Sequence, residues 1–299
     1  MPRNPYFGYH LLALAAVLIW GPTFASSKVL LQNGLTPADI MLYRFVLAYI
    51  AMWFVCERKL WANSLRDELV LMLAGLSGGT IYFLSENTAL LYTQTTNVGI
   101  IIATIPLITA LLSRVFIKNT RLSRQFMIGT VISLAGVVLL EMNGNTTLNI
   151  SPLGDALALL AAIAWAMYNI LIYYLYRSYS TTFITRKVFF YGLVTLLPVW
   201  LAEGGDHGFA ALGRPVVFGN LLFLGLVASF VGYMMWNTAV HRIGSLKASN
   251  YIYLSPLITF ATSYIFLDDE IITLGAAAGA LAILAGVYIA ERNRNSKAG

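Results

Sequence analysis

The chain has 299 residues and a formal net charge of +6, with 59% hydrophobic and only 11% charged side chains. A soluble globular protein carries about 25% charge, so this composition excludes a water-soluble particle and points to a multi-pass membrane protein. Cys56 is the only cysteine, which excludes an intramolecular disulfide, and His10, His207 and His241 are too scattered to suggest a metal or any other cofactor.

A bilayer core is crossed by roughly 20 apolar residues in a helix. Ten such segments are predicted, near 7–31, 37–56, 68–92, 97–116, 122–142, 153–176, 182–202, 215–241, 246–267 and 271–291. Backbone groups in hydrocarbon must bond internally, and alternating strand patterns are absent, so all ten are read as helices. The first contains Trp20 and Pro22 and lacks an A-x-A site, which makes it a retained helix rather than a cleaved leader.

In chain order, the first segment carries Trp20, Pro22 and Lys28, the last close enough to the outer interface to snorkel. The second carries Tyr43 and Arg44. The third contains "YFLSENTALLY" at 82–92, with Tyr82 one turn before Glu86 on the same face and Asn87 beside it. The fourth carries Pro106. The sixth carries Trp165, Tyr168 and Asn169, the eighth Trp236 and Asn237, and the ninth Asn250, Tyr253 and Pro256. Tyr6, Tyr9, Trp61 and Trp200 fall at span ends and read as interfacial belt residues.

The cations give direction. Sixteen Lys and Arg residues fall in the tails and even-numbered loops, from Arg3 through Arg58, Arg114, Arg186 and Lys247 to Lys297, whereas the opposite loops hold Arg214 alone. This bias places both termini in the cytoplasm.

The chain also repeats itself at an offset of 150. "PLIT" at 106–109 returns at 256–259, "NTAL" at 87–90 meets "NTAV" at 237–240, and "LAGV" at 134–137 meets 284–287. Five helices per copy is an odd number, so the second copy enters the membrane from the opposite face. The expectation is two inverted repeats, 1–144 and 145–299, around a central cavity near the midplane. Pro106 and Pro256 lack an N–H and so release the carbonyls of Ile102 and Ile252, as Pro22 releases that of Leu18. The alternative is a plain packing kink. Gly75-x-x-x-Gly79 and Gly275-x-x-x-Gly279 permit close helix contact.

Ionisable groups inside a bilayer are costly and mark function. Glu86 suits an ammonium group or a proton in transit; the alternative is a structural pair with Arg44 or Lys28. Arg44 presents a planar fork to a carboxylate; the alternatives are an interfacial anchor or a partner for Asp39. Trp20, Tyr43, Tyr82, Trp165, Tyr168, Trp236 and Tyr253 either line an amphipathic cavity or pack in the core. Asn87, Asn169, Asn237 and Asn250 add amides at similar depth.

"LIWGPTFASSK" in the first helix, "YRF" in the second and the twin "PLIT…LAGV" blocks, in that order over nearly the whole chain, resemble the drug/metabolite transporter superfamily and its EamA-type exporters. The Tyr- and Trp-rich first half is similar to the YddG-type amino-acid exporters. The resemblance implies 1–144 and 145–299 as two EamA-like five-helix repeats. It also implies export of amino acids, aromatic ones included, or other metabolites across the inner membrane. Relatives in the superfamily also carry nucleotide sugars, drugs and sugar phosphates.

The expected partners are therefore a small-molecule substrate, the lipid bilayer and, through Glu86, protons. No basic stretch interleaved with aromatics suggests nucleic acid. No G-x-x-x-x-G-K-[ST] loop provides for ATP, and no H-E-x-x-H or G-x-S-x-G motif favours a membrane enzyme. A lipid flippase or a channel is the remaining competitor. Asn145-Thr146-Thr147 and Asn149-Ile150-Ser151 fit a glycosylation pattern that is meaningless in a bacterial chain.

Overall fold

The computed structural model describes residues 6–93, 95–117, 122–142, 151–204, 207–266 and 273–291. Arg3, Lys118, Arg121, Arg292, Arg294, Lys297 and residues 145–150 of the two sequons lie outside them. Among the described residues every regular element is helical. Eight stretches are long and apolar enough to cross a membrane, and Leu274–Ala290 is a shorter apolar helix.

Several predicted segments prove to be broken helices. The first divides into α1 (Phe7–Trp20) and α2 (Thr23–Gln32). α3 (Pro37–Val55) starts at a capping box in which Thr36 accepts from the Asp39 N–H and Asp39 accepts from the Thr36 N–H. That arrangement satisfies donors that a helix start otherwise leaves bare. At its far end Cys56 is half-buried, and burial pushes its thiol pKa up.

The third stretch is α4 (Leu65–Gly75), a π-wound segment Leu76–Ile81, and α5 (Tyr82–Tyr92). The fourth is α6 (Thr95–Ile102) and α7 (Ile105–Phe116), followed by α8 (Arg124–Met142), α9 (Pro152–Leu175) and α10 (Thr181–Glu203). After a short 3-10 turn, Phe209–Ala211, the eighth stretch repeats the pattern of the third: α11 (Pro215–Leu222), a π-wound segment Phe223–Val231, and α12 (Gly232–Ile243). The ninth predicted segment is α13 (Ser245–Asn250), a 3-10 stretch Tyr251–Leu254 and α14 (Ser255–Phe266), and α15 (Leu274–Glu291) closes the order.

The prolines behave differently from the expectation. Pro106 does not kink a continuous helix. The helix stops at Ile102, and Pro106 sits in the first turn of α7, where its missing N–H has no bond to lose. The Ile252 carbonyl, expected to be free, accepts from the Ser255 N–H at the end of the 3-10 stretch. Pro106 and Pro256 are both buried, and Pro22 is half-buried between α1 and α2. The proline that does lie inside a helix is Pro198 in α10, which the repeat did not single out.

Arg186 and Lys187 were read as loop cations, yet they are buried in the first turns of α10. Arg186 donates to the carbonyls of Glu57 and Lys59, and Lys187 pairs with Glu68, which also accepts from the Tyr191 hydroxyl. These contacts tie the loop after α3 and the first turn of α4 to α10.

Glycines let α8 and α15 touch backbone to backbone. A Cβ on Gly129 would stand 2.4 Å from the Gly286 carbonyl oxygen, and one on Gly136 2.7 Å from that of Gly279. As numbering rises along α8 it falls along α15, so the pair is antiparallel. Gly75 and Gly79 pack against Gly192 of α10 in the same way. Gly275 does not: among the described residues a Cβ there would meet Thr273 alone, at 3.6 Å.

Candidate functional site

The breaks converge on one cavity. It is lined by Trp20 and Thr23 at the α1–α2 junction, Arg44 of α3, Tyr82 and Glu86 of α5, Trp165 of α9, and further residues described below. About 40 Å³ is open to the centres of water molecules, room for on the order of three waters.

Three repeat-related pairs line the cavity together. Phe83 and Tyr233, Ile102 and Ile252, and Ile105 and Ser255 are each 150 positions apart. The π winding contributes directly. The Tyr233 hydroxyl donates to the Gly78 carbonyl at 2.6 Å, and the Trp20 indole N–H donates to the Ala228 carbonyl at 2.9 Å. Gly78 and Ala228 are themselves 150 positions apart. Each π segment thus holds one aromatic wall by the equivalent carbonyl.

The charges break this symmetry. Arg44 is 2% and Glu86 7% exposed. Glu86 accepts from the Tyr82 hydroxyl at 2.5 Å through one carboxylate oxygen, and among the described residues its other oxygen has no protein partner. Arg44 Nε donates to Ser229 Oγ at 2.9 Å, and its Cζ lies 4.1 Å over the Phe83 ring. Neither terminal nitrogen of Arg44 meets a protein acceptor among the described residues. The two charges face the same space without forming a direct ion pair. Asp39, an alternative partner for Arg44, instead accepts from Trp200 at 2.8 Å and lies 3.6 Å from His207. Lys28 is exposed.

Not every candidate reaches the cavity. Tyr43, the neighbour of Arg44, points to another face of α3 and donates to the His207 carbonyl at 2.7 Å. Asn87 donates to the Phe83 carbonyl within its own helix. Tyr168, Asn169, Trp236 and Asn237 are fully buried in a layer one turn beyond the cavity, toward the 175–181 connection. Trp236 donates to Asn169 and Tyr168 to Asn237, which in turn donates to Thr185, at 2.8–2.9 Å. Asn250 and Tyr253 are buried outside the lining. Tyr233, Ser229 and Phe83 were missed. The offset of 150 could have found Tyr233, because its partner Phe83 lies beside the conspicuous Tyr82. No sequence signal marks Ser229.

Trp20, Trp165, Tyr82 and Tyr233 form a ring cluster over the charges, with centroids of Trp20 and Trp165 at 5.3 Å edge-on and of Tyr82 and Trp165 at 4.7 Å. The indole N–H of Trp165 is buried and has no partner among the described residues.

A small cavity at the breaks of several apolar helices is an arrangement that suits a solute carrier. The EamA-like transporter family matches residues 8–142 and again 152–291, and the chain belongs to that family, within the drug/metabolite transporter superfamily. An uncharacterized transporter of Archaeoglobus fulgidus is 30% identical over 94% of this chain and 96% of its own. A probable amino-acid metabolite efflux pump of Escherichia coli is 25% identical over 93% of each chain. A probable terminal-alkyne amino-acid exporter of Streptantibioticus cattleyicolor is 25% identical over 92% of this chain and 91% of its own. A solved crystal structure superposes with a TM-score of 0.72 over 95% of this chain and 97% of that chain at 18% identity, a likeness of fold.

Proposed function

We propose that this chain exports amino acids, or small metabolites of the same zwitterionic form, across the plasma membrane. The observation that carries the reading is the pair Arg44 and Glu86, opposite charges in one aromatic-walled cavity with binding atoms left over. The free fork of Arg44 suits a carboxylate, which guanidinium binds bidentately. The free oxygen of Glu86 suits an ammonium group or a proton. The rings supply apolar surface for a side chain. The relatives named as a probable amino-acid metabolite efflux pump and a probable terminal-alkyne amino-acid exporter favour the same substrate class.

The reading includes ten spans in two inverted repeats, with both termini cytoplasmic and access alternating between the two faces. It draws support from the antiparallel α8–α15 contact, the equivalent π segments and the excess of cations in one set of loops, which persists when the buried Arg186 and Lys187 are set aside. The buried layer of Trp236, Asn169, Tyr168 and Asn237 would then close the cavity on the cytoplasmic side.

The test is efflux of a panel of labelled L-amino acids from proteoliposomes. Wild-type protein should move at least one of them, and Glu86→Gln and Arg44→Ala should each lower the rate by tenfold or more, an estimate of about 1.5–3 kcal/mol for a lost charged hydrogen bond. Flux that is equal in all three proteins removes the assignment, and movement of lipid alone replaces the exporter with a flippase.

A further inference from the structure

A guanidinium has two edges on which parallel N–H donors can seize a carboxylate. One joins Nε to a terminal nitrogen, and the other joins the two terminal nitrogens. In Arg44 the first edge is taken, because Nε donates to Ser229 Oγ at 2.9 Å. Phe83 covers one flat face at 4.1 Å. Both terminal nitrogens lack a protein acceptor among the described residues. What remains open to the cavity is the end-on edge.

The serine spends its hydroxyl on a distant helix. Two other fully buried hydroxyls bond back to the carbonyl four residues earlier, Thr185 to Thr181 and Ser249 to Ser245, and Thr80 of the first π-wound segment reaches across to Gly192 and Thr195. That back-bond is the default use of a helical hydroxyl in an apolar medium. Ser229 makes no such bond; its contact is with Arg44, 185 positions away in sequence. It stands in the π-wound segment Phe223–Val231, and π turns recur at functional sites. The preceding residue, Ala228, holds Trp20 through its carbonyl. Two consecutive residues therefore anchor an aromatic wall and the cation. The repeat equivalent of Ser229 is Gly79, which has no hydroxyl and packs against the Phe45 ring.

We propose that Ser229 is a positioning residue for oxyanion recognition: by occupying the Nε edge of Arg44, it obliges a substrate carboxylate to bind end-on, across the two terminal nitrogens. This rests on Arg44 being the carboxylate-binding group. Without the serine the guanidinium turns about its Phe83 contact, and the two edges compete for the substrate.

The experiment is a double-mutant cycle in proteoliposomes, using a labelled L-amino acid that the wild type exports. Ser229→Ala should raise KM about tenfold, the scale of one hydrogen bond to a charged group, with the maximal rate within about twofold. Ser229→Thr, which keeps the hydroxyl, should restore KM. In an Arg44→Lys background Ser229→Ala should add nothing. A defect confined to the maximal rate, no rescue by threonine, or additive effects in the Arg44→Lys background overturns the proposal. If the wild type moves no amino acid, the substrate reading fails separately. The coupling is then read from thermal unfolding of Ser229→Ala, Arg44→Met and the double variant. Strictly additive midpoint shifts overturn the positioning role there as well.

Discussion

Between 76 and 92 and again between 226 and 242 the chain executes the same sequence of moves: a π-wound stretch, an aromatic residue at 83 or 233 that lines the cavity, then an Asn-Thr-Ala triplet. The backbones match, and the chemistry does not. At the position after Ser85 the first copy places Glu86 in the cavity. At the equivalent position the second copy places Trp236, fully buried and bonded to Asn169. Asn87 closes onto its own helix, whereas Asn237 bridges Tyr168 and Thr185 on two other helices. Where the first copy has Tyr82, the second has Gly232, and Trp20 fills the space: a Cβ there would stand 2.6 Å from the Trp20 indole nitrogen. One copy of the device holds an ionisable group in the cavity, and the other holds a buried, hydrogen-bonded indole, which the proposed function makes a seal. Duplication supplied a matched frame, and the side chains at a few equivalent positions divided the work.

Substitutions at matched positions break or sharpen that comparison. The largest effect is expected at 236. Trp236→Ala empties a fully buried site and should cost about 3–5 kcal/mol of stability, visible as an earlier thermal transition in detergent. Glu86→Ala, its equivalent, removes a cavity-facing group and should leave the transition nearly in place while transport falls. Equal destabilisation by both would erase the distinction between charge and seal.

Gly78 and Ala228 come next. A Cβ on Gly78 would lie 2.4 Å from the Tyr168 ring, so Gly78→Ala should cost roughly 1–3 kcal/mol by overpacking. The second copy already carries alanine there, and Ala228→Gly should cost only the usual helix penalty of about 1 kcal/mol. A transition unchanged by Gly78→Ala would mean that the close approach is soft.

The smallest effect tests what the two copies share. Tyr233→Phe removes the hydroxyl that reaches Gly78, and Trp20→Phe removes the indole N–H that reaches Ala228. Each should cost about 1 kcal/mol, the net worth of one hydrogen bond. Trp20→Phe also shrinks a cavity wall, so its excess over Tyr233→Phe measures packing. A loss at one site alone would show that only that π carbonyl is in use.

Much of the frame was legible in the sequence. Apolar length placed the described helices to within a few residues, and the offset of 150 drew attention to Ile102 and Ile252, which line the cavity although the Ile252 carbonyl, expected to be free, is bonded. Glu86 and Arg44 stood out because charge in an apolar run is rare. The errors have physical causes. Tyr43 and Arg44 are neighbours, yet a helix turns about 100° per residue, so one faces His207 and the other the cavity. Pro106 was read as a kink in a helix that in fact ends before it. Arg186 and Lys187 passed for solvated cations because their acceptors, at Glu57, Lys59 and Glu68, lie more than a hundred positions earlier.

What the sequence by itself determined is that the chain lives in lipid as a bundle of apolar helices, because transfer into hydrocarbon is a sum over local composition and is written along one dimension. Which side chains share a cavity was decided only in the folded molecule. Arg44 meets Ser229, and Trp20 meets Ala228, across about two hundred residues of chain. Such meetings depend on the rotation of each helix and on where π turns shift its register, and those are properties of packing that no single segment contains.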